Sequence, residues 1–112
     1  MTKSITTALL LMIAYGDPAL AVTSEELAKE KDCFVCHDAK LQKFAPSFTD
    51  ISRRFSGLSN AKPMLVRVVK AGTDSSPATF HWGSSKMPPD TIRAPVSDAE
   101  AEVLVDYVLS FH

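Results

Sequence analysis

Two cysteines and a histidine stand together in the sequence Cys33-Phe34-Val35-Cys36-His37. This C-x-x-C-H spacing is the attachment pattern of c-type haem. Two thiols separated by two residues can each form a thioether with one haem vinyl group, and His37 is then held beneath the iron as its proximal ligand. The motif therefore predicts one haem c, covalently bound through Cys33 and Cys36.

Three other uses of the same residues compete with haem. A thioredoxin-like redox pair needs a βαβ context, and the sequence shows no convincing strand. A zinc site needs four protein ligands, and the chain has no second Cys/His pair. A plain structural disulfide would leave the adjacent His37 and a long proline-rich loop unexplained. Haem is the interpretation that accounts for all of these features.

The candidates for a sixth iron ligand are Met64, His81, Met87 and His112. Met64 falls in a predicted helix, where a methionine usually fills the core, and His112 is the C-terminal residue. Met87 is followed by two prolines, which stiffen the backbone beside a weak thioether ligand. We expect Met87 to bind the iron, with His81 as the alternative. Ligation by histidine and methionine raises the reduction potential and leaves no open position for a substrate, so we expect no catalytic residue.

The sequence predicts an all-α chain of four helices, and the first two have simple signals. A capping box at residues 23–26 predicts a helix from about Ser24 to Asp32. Ile51 and Phe55 stand four residues apart and are followed by Gly57, which indicates a second helix that ends near this glycine.

A third and a fourth helix follow, separated by a long loop. Asn60 is placed to cap the third helix, and Gly72 is placed to end it. A capping box at residues 97–100 precedes a helical apolar stripe of Ala101, Leu104, Val105, Val108 and Leu109. Residues 73–95 contain four prolines and little periodicity. A loop of this length is unusual in so small a domain, and it becomes reasonable if it wraps a large apolar group.

These features resemble the small bacterial class I cytochromes c, a periplasmic group that includes electron donors to dissimilatory nitrite reductases. The resemblance covers nearly all of residues 24–111 and implies the class I cytochrome c fold, about four helices around one haem. Pro46 follows His37 by nine residues, the family's spacing, which implies that its carbonyl accepts the Nδ1–H of the haem histidine. Trp82, five residues before Met87, matches the indole that hydrogen-bonds a haem propionate.

The chain departs from the family pattern in ways that leave its partner open. Residues 73–81 and 91–95 look like insertions, one on each side of Met87. Val68 falls where relatives can carry an arginine that reaches a propionate, and the neighbouring Arg67 should point elsewhere on the helix. Haem-pocket and helix packing is expected from Phe34, Phe44, Phe48, Phe55 and Leu104.

The first 21 residues have the features of a secretory signal peptide. Lys3 gives a basic start, an apolar run extends from Ile5 to Tyr15, and Ala19-Leu20-Ala21 is a cleavage signature. The run is short for a membrane anchor, and no later segment approaches the ~18 apolar residues that span a bilayer. We therefore predict a signal peptide at residues 1–21, a cytochrome c domain at residues 22–112 and a periplasmic location.

Composition excludes some classes of protein and leaves the redox partner open. The 12 Lys and Arg against 13 Asp and Glu give no bulk charge that would indicate nucleic acid, and two cysteines are too few for a disulfide scaffold. Residues 22–72 carry nine basic and six acidic residues, whereas residues 73–112 carry two and six. An acidic partner would be attracted if the exposed haem edge were ringed by Lys40, Lys43, Arg53, Arg54 and Lys86. The alternative is a set of ordinary solvated charges.

Three functions are compatible with these residues. The first is a freely diffusing monomer that carries single electrons between periplasmic redox proteins and is not an enzyme. The second is the haem subunit of a stable oxidoreductase complex, such as a sulfite-type dehydrogenase, in which the insertions would add contact surface. The third, a ligand-binding or peroxidatic haem, requires an open axial position.

Overall fold

The computed structural model describes residues 22–73 and 86–112. They form five α-helices: α1 (Ser24–Glu30), α2 (Cys33–Cys36), α3 (Phe48–Phe55), α4 (Ala61–Ala71) and α5 (Asp98–Leu109). No strand occurs in these residues, so the predicted all-α fold is confirmed. The helix beyond the predicted four is α2, which is too short for sequence periodicity to indicate. Within the same two ranges, no helix is long and apolar enough to cross a membrane.

Side-chain caps begin three of the helices. At α1, Thr23 Oγ1 accepts the Glu26 N–H at 3.2 Å, and the Glu26 carboxylate accepts the Thr23 N–H at 3.4 Å. Ser97 and Glu100 repeat this capping box at α5, with distances of 3.1 and 2.9 Å. Ser47 Oγ accepts a first-turn N–H of α3 at 3.1 Å, a cap that the sequence analysis did not single out. Each such cap stabilises its helix by about 1 kcal/mol.

One helix boundary and one cap differ from the sequence prediction in detail. α1 ends at Glu30 rather than near Asp32, because Lys31 closes the helix and Asp32 adopts a left-handed backbone with φ 62°. Aspartate tolerates this conformation better than most residues, and here it directs the chain into α2. Asn60 precedes α4, but its side chain makes no capping hydrogen bond. Gly72 ends α4 with φ 71°, as predicted.

α5 is the central helix and packs against α1, α3 and α4. Its residues Ala101 and Val105 are 0% and 1% exposed, and together with Leu104 they form the buried part of the predicted stripe. The buried apolar side chains form two clusters, one of Leu27, Ala28, Val96, Ala101 and Leu104, the other of Phe55, Ala61, Leu65 and Val105. Because each fully buried aliphatic side chain of this size stabilises the fold by about 1.5–3 kcal/mol, α5 holds the other helices in place.

Phe48 joins α3 to both the C-x-x-C-H segment and α5. Its ring centroid lies 5.6 Å from Phe34, 5.3 Å from His37, 5.9 Å from Tyr107 and 5.6 Å from Phe111. The side chain is 3% exposed. Edge-to-face and offset aromatic pairs of this kind add about 0.5–1.5 kcal/mol each beyond the area they bury. Phe48 therefore sets where His37 stands relative to the core.

Candidate haem site

The turn of α2 presents the two cysteines to one cavity. The left-handed residue Asp32 precedes α2, and the His37 N–H donates to the Cys33 carbonyl at 2.9 Å where the helix ends. Both thiols are free and half-buried, so the structural disulfide considered above is not formed. Burial raises the pKa of the Cys33 thiol. In the described part of the chain, no group of three or more His, Cys, Asp or Glu side chains is placed to hold a metal ion.

His37 is oriented by the backbone of Pro46. The His37 Nδ1–H donates to the Pro46 carbonyl at 2.7 Å, the contact that the family resemblance implied. Because Nδ1 carries the proton, Nε2 keeps its lone pair and is the nitrogen available to a metal. Burial lowers the pKa of His37, although the Pro46 carbonyl acts in the opposite direction. Burial therefore favours the neutral imidazole, which is the form that a metal ligand requires.

Both cysteines, His37 and Met87 line the same open cavity. The cavity and the solvent-filled space at its open mouth together have a volume of about 1370 Å³. Apolar side chains form most of the walls: Ala28, Phe48, Ile51, Phe55, Leu65, Val68, Val69, Leu104, Val105, Tyr107 and Val108. A large apolar cavity with two thiols, one imidazole and one thioether at its surface fits a haem, which is a broad apolar ring with two attachment points and two axial positions.

The structure separates the candidates for the sixth ligand. Met64 is half-buried and packs against the second core cluster, while His112 is exposed at the C-terminus, and neither lines the cavity. Met87 lines it. His81 lies outside the described residues, and so does Trp82, for which a haem propionate contact was implied.

Met87 is held by a residue at the end of α4. The Met87 N–H donates to Thr73 Oγ1 at 2.8 Å, and the Thr73 N–H donates to the Met87 carbonyl at 2.9 Å. Thr73 is buried, so both hydrogen bonds are shielded from water. Two reciprocal bonds fix the backbone of Met87, and with it the direction in which the thioether can reach.

Residues 87–90, the methionine loop, are brought against α4 by Gly72 and Lys70. A Cβ on Gly72 would stand 2.8 Å from Pro88 C and from Pro89 N, and closer still to the Met87 carbonyl oxygen. Only glycine allows this approach with φ 71°. Lys70 Nζ pairs with Asp90 Oδ2 at 3.1 Å, and the Asp90 N–H donates to the Lys70 carbonyl at 2.9 Å. The loop is therefore attached to the last turn of α4 on both sides of the two prolines.

Sequence reasoning did not identify Thr73, Lys70 or Arg93 as residues of the site. Thr73 and Lys70 act on residues 14 and 20 positions away, and no sequence pattern connects them. Arg93 lines the cavity from within residues 91–95. One sequence signal could have indicated Arg93: it lies in an insertion a few residues after Met87, the expected ligand.

Most of the other pocket residues stand where the sequence analysis expected. Phe44, Phe48, Phe55 and Leu104 line the cavity, whereas Phe34 packs behind it against the first core cluster. On α4, Val68 lines the cavity and Arg67 is exposed and points elsewhere, as expected. All five basic residues of the expected ring are exposed, and among them only Lys86 lines the cavity: Lys40, Lys43, Arg53, Arg54 and Lys86.

Comparison with known proteins identifies the family. The family model for cytochrome c matches residues 21–112. Cytochrome c-552 of Hydrogenobacter thermophilus is 35% identical over 101 residues, covering 90% of this chain and 94% of that protein. Cytochrome c-551 of Azotobacter vinelandii is 36% identical over 88 residues, covering 79% and 96%. The crystal structure of wild-type Nitrosomonas europaea cytochrome c552 superposes with a TM-score of 0.67 at 32% identity, covering 79% of this chain and 99% of that one.

These relatives agree with the site. A single pair, Cys33 and Cys36, on an apolar cavity fits one covalently bound haem c. The chain belongs to the cytochrome c family, as a small class I bacterial c-type cytochrome.

Proposed function

We propose that this protein carries single electrons with His37 and Met87 as the two axial ligands of its haem iron. One observation supports this assignment above the others: both side chains line the cavity that the two cysteines line. The Nδ1–H of His37 is already committed to the Pro46 carbonyl, which leaves Nε2 for the iron. The haem supplies a one-electron Fe(II)/Fe(III) couple, whose potential is raised by a methionine ligand.

In this proposal the protein side chains hold ligands and exclude water. Pro46 orients the imidazole, and the Thr73 hydrogen bonds orient the methionine backbone. With both axial positions taken by side chains of the chain itself, no position remains for a substrate, so electron transfer is the activity that the site supports.

Visible spectroscopy of the purified holoprotein tests the axial ligands. We expect the oxidised protein to show the methionine–iron charge-transfer band and Met87→Ala to lose it while retaining covalent haem. Met64→Leu is the matched control and should keep the band, because Met64 packs in the core. A band that persists in Met87→Ala contradicts the proposal. A wild-type protein without the band, whose spectrum changes in His81→Ala, assigns the ligand to His81 instead.

We further propose that residues 1–21 are a signal peptide and that the mature protein, residues 22–112, acts in the periplasm. Thioether attachment of haem takes place outside the cytoplasm, which agrees with the sequence pattern of these residues. The intact mass of the protein from a periplasmic extract should correspond to a chain that begins at Val22 with one haem. A mass that includes residues 1–21 contradicts cleavage.

For partners, we propose acidic periplasmic redox proteins that dock on the basic residues beside the cavity. Lys86 is exposed and lines the cavity, so its charge stands at the rim. Electron-transfer rates should fall as ionic strength rises, because salt screens charges over about 10 Å at 0.1 M. Lys86→Gln should weaken this dependence, and Lys62→Gln, which removes a charge that does not line the cavity, should not. A rate that does not depend on salt contradicts docking by charge.

The carrier should also be a monomer that diffuses freely. Size-exclusion chromatography of a native extract distinguishes this from the complex subunit considered above. Elution at the size of one chain supports the carrier, and co-elution with a larger protein supports the subunit.

A further inference from the structure

Residues 91–95 bring an arginine side chain to the cavity beside Met87. Arg93 is half-buried and lines the cavity. Its Nε–H donates to the Pro88 carbonyl at 2.9 Å, and Nη1 donates to the Ala94 carbonyl at 3.4 Å. Nη2 is fully buried and has no hydrogen-bond partner among the described residues.

The bond reaches the carbonyl of Pro88, the residue that directly follows Met87. Pro88 and Pro89 have no N–H groups, so these two positions cannot donate the hydrogen bonds that usually close a loop. Arg93 supplies a side-chain donor in their place. A guanidinium does more than close a loop, however, since it brings a charge that cannot be neutralised by losing a proton.

Arg93 forms no ion pair within the described residues, although its charge, together with the hydrogen bond from Lys70, helps to lower the pKa of Asp90. The Asp90 carboxylate is paired with Lys70 at 3.1 Å. Arg93 and Cys33 line the same cavity. Burial raises the pKa of the Cys33 thiol, and the guanidinium acts to lower it. Arg93 thus places a positive charge close to the point where Cys33 is attached to the haem, in an apolar environment where charges act strongly.

We propose that Arg93 is a positioning residue for Met87 and sets the reduction potential of the haem. It fixes the carbonyl of Pro88, the residue after Met87, and its charge would favour the reduced form of a bound haem, because reduction adds an electron near a fixed cation. The inference rests on the proposed function, since it takes Met87 as the ligand.

Potentiometric titration of the holoprotein tests the role of the charge. Arg93→Gln should shift the redox equilibrium about threefold to tenfold toward the oxidised form, where tenfold corresponds to about 59 mV for one electron. Arg93→Lys keeps the charge and should recover most of the wild-type potential. The matched control is Arg67→Gln, which removes an exposed arginine that does not line the cavity. Arg67→Gln should shift the redox equilibrium less than twofold, because solvent screens the charge of Arg67.

Thermal loss of the methionine–iron charge-transfer band tests the positioning role. Both Arg93→Gln and Arg93→Lys should lose the band at a lower temperature than Arg67→Gln. Neither side chain can reproduce the two hydrogen bonds that the guanidinium donates to the Pro88 and Ala94 carbonyls.

Two results overturn the inference. If Arg93→Gln shifts the potential no more than Arg67→Gln, or if Arg93→Lys shifts it as much as Arg93→Gln, the charge does not set the potential. If the band is equally stable in all three variants, Arg93 does not position Met87. Neither result concerns the ligand itself: failure of the proposed function would appear as a wild-type spectrum without the methionine band. Where Arg93→Gln yields too little holoprotein, Arg93→Lys alone decides the positioning role.

Discussion

The two sides of the haem cavity are built in different ways. On the side of His37, the bonds that position the ligand span few residues: His37 to Pro46 is nine positions, and the α2 turn closes within four. On the side of Met87, the contacts connect distant residues, Thr73 across 14 positions and Lys70 across 20 to Asp90. The backbone of Met87 is therefore held by hydrogen bonds from the end of α4, whereas the hydrogen bonds of His37 stay within its own segment.

This difference separates the residues that attach the haem from those that determine its second axial ligand and its reduction potential. Changes on the His37 side should decide whether the haem is bound at all, because the thioethers form there. Changes on the Met87 side should leave the haem in place and alter the ligand, the potential or the stability. The following predictions test this division, beginning with the largest expected effect.

Replacing both Cys33 and Cys36 by serine should abolish covalent attachment, because an alcohol does not replace a thiol in thioether formation. Intact mass and haem staining of a denaturing gel measure the result. Met87→Ala is the comparison variant and should retain the full haem mass. Covalent haem lost to the same extent in Met87→Ala would remove the distinction between the two sides.

Gly72→Ala should disturb the methionine loop severely. The new Cβ would overlap the Met87 carbonyl and Pro88, and alanine would be forced into φ 71°. We expect a loss of about 2–4 kcal/mol in the free energy of unfolding, from left-handed backbone strain and overpacking together. Denaturant titration measures it, with Gly57→Ala as the control because nothing lies within 4 Å of that Cβ. Equal losses in the two variants would show that the close approach is unimportant.

Two buried threonines allow the sides to be compared with the same substitution. Thr73→Val removes the acceptor of the Met87 N–H, and Thr49→Val removes the donor to the Ala39 carbonyl at 2.8 Å. Thr73→Val should cost about 1–3 kcal/mol, because the part-buried Met87 N–H loses its acceptor. Thr49→Val should cost less, about 0.5–1.5 kcal/mol, because the Ala39 carbonyl keeps the hydrogen bond from the Thr49 backbone N–H. Only Thr73→Val should also lower the temperature at which the methionine–iron band disappears. If Thr49→Val lowers it equally, the band reports global stability rather than the methionine loop.

The smallest expected effect is on the stability of the fold at acid pH. The hydrogen bond from Lys70 holds the pKa of Asp90 below its ordinary value of 3.8. A carboxylate with a lowered pKa stabilises the fold above pH 3.8, and this contribution is lost as the pH falls through the lowered pKa. Asp90→Asn should therefore flatten the decline in unfolding free energy below pH 3.8. Asp106→Asn, which breaks an exposed pair with Lys62, is the control. An unchanged slope in Asp90→Asn contradicts the role of this pair.

The parts of the fold that the sequence predicted are those formed by neighbours in the chain. The capping boxes of Thr23 and Ser97 lie within four residues, and both begin the helices expected from them. The resemblance likewise placed Pro46 correctly against His37. α2 was missed because four residues show no period, and its start depends on the left-handed backbone of Asp32.

The sequence by itself determined the covalent chemistry of this protein, because two thiols and a histidine within one turn of chain carry their relative geometry with them. It also indicated Met87 by its flanking prolines. Only the tertiary structure decided that Met64 packs in the core while Met87 lines the cavity, and that Thr73, Lys70 and Arg93 hold its loop. The Thr73 and Lys70 contacts join residues 14 and 20 positions apart, which come together only when the chain folds back against the end of α4, so no local pattern records them. Arg93 lies only five positions from Pro88, but the fold decides that its side chain also lines the cavity.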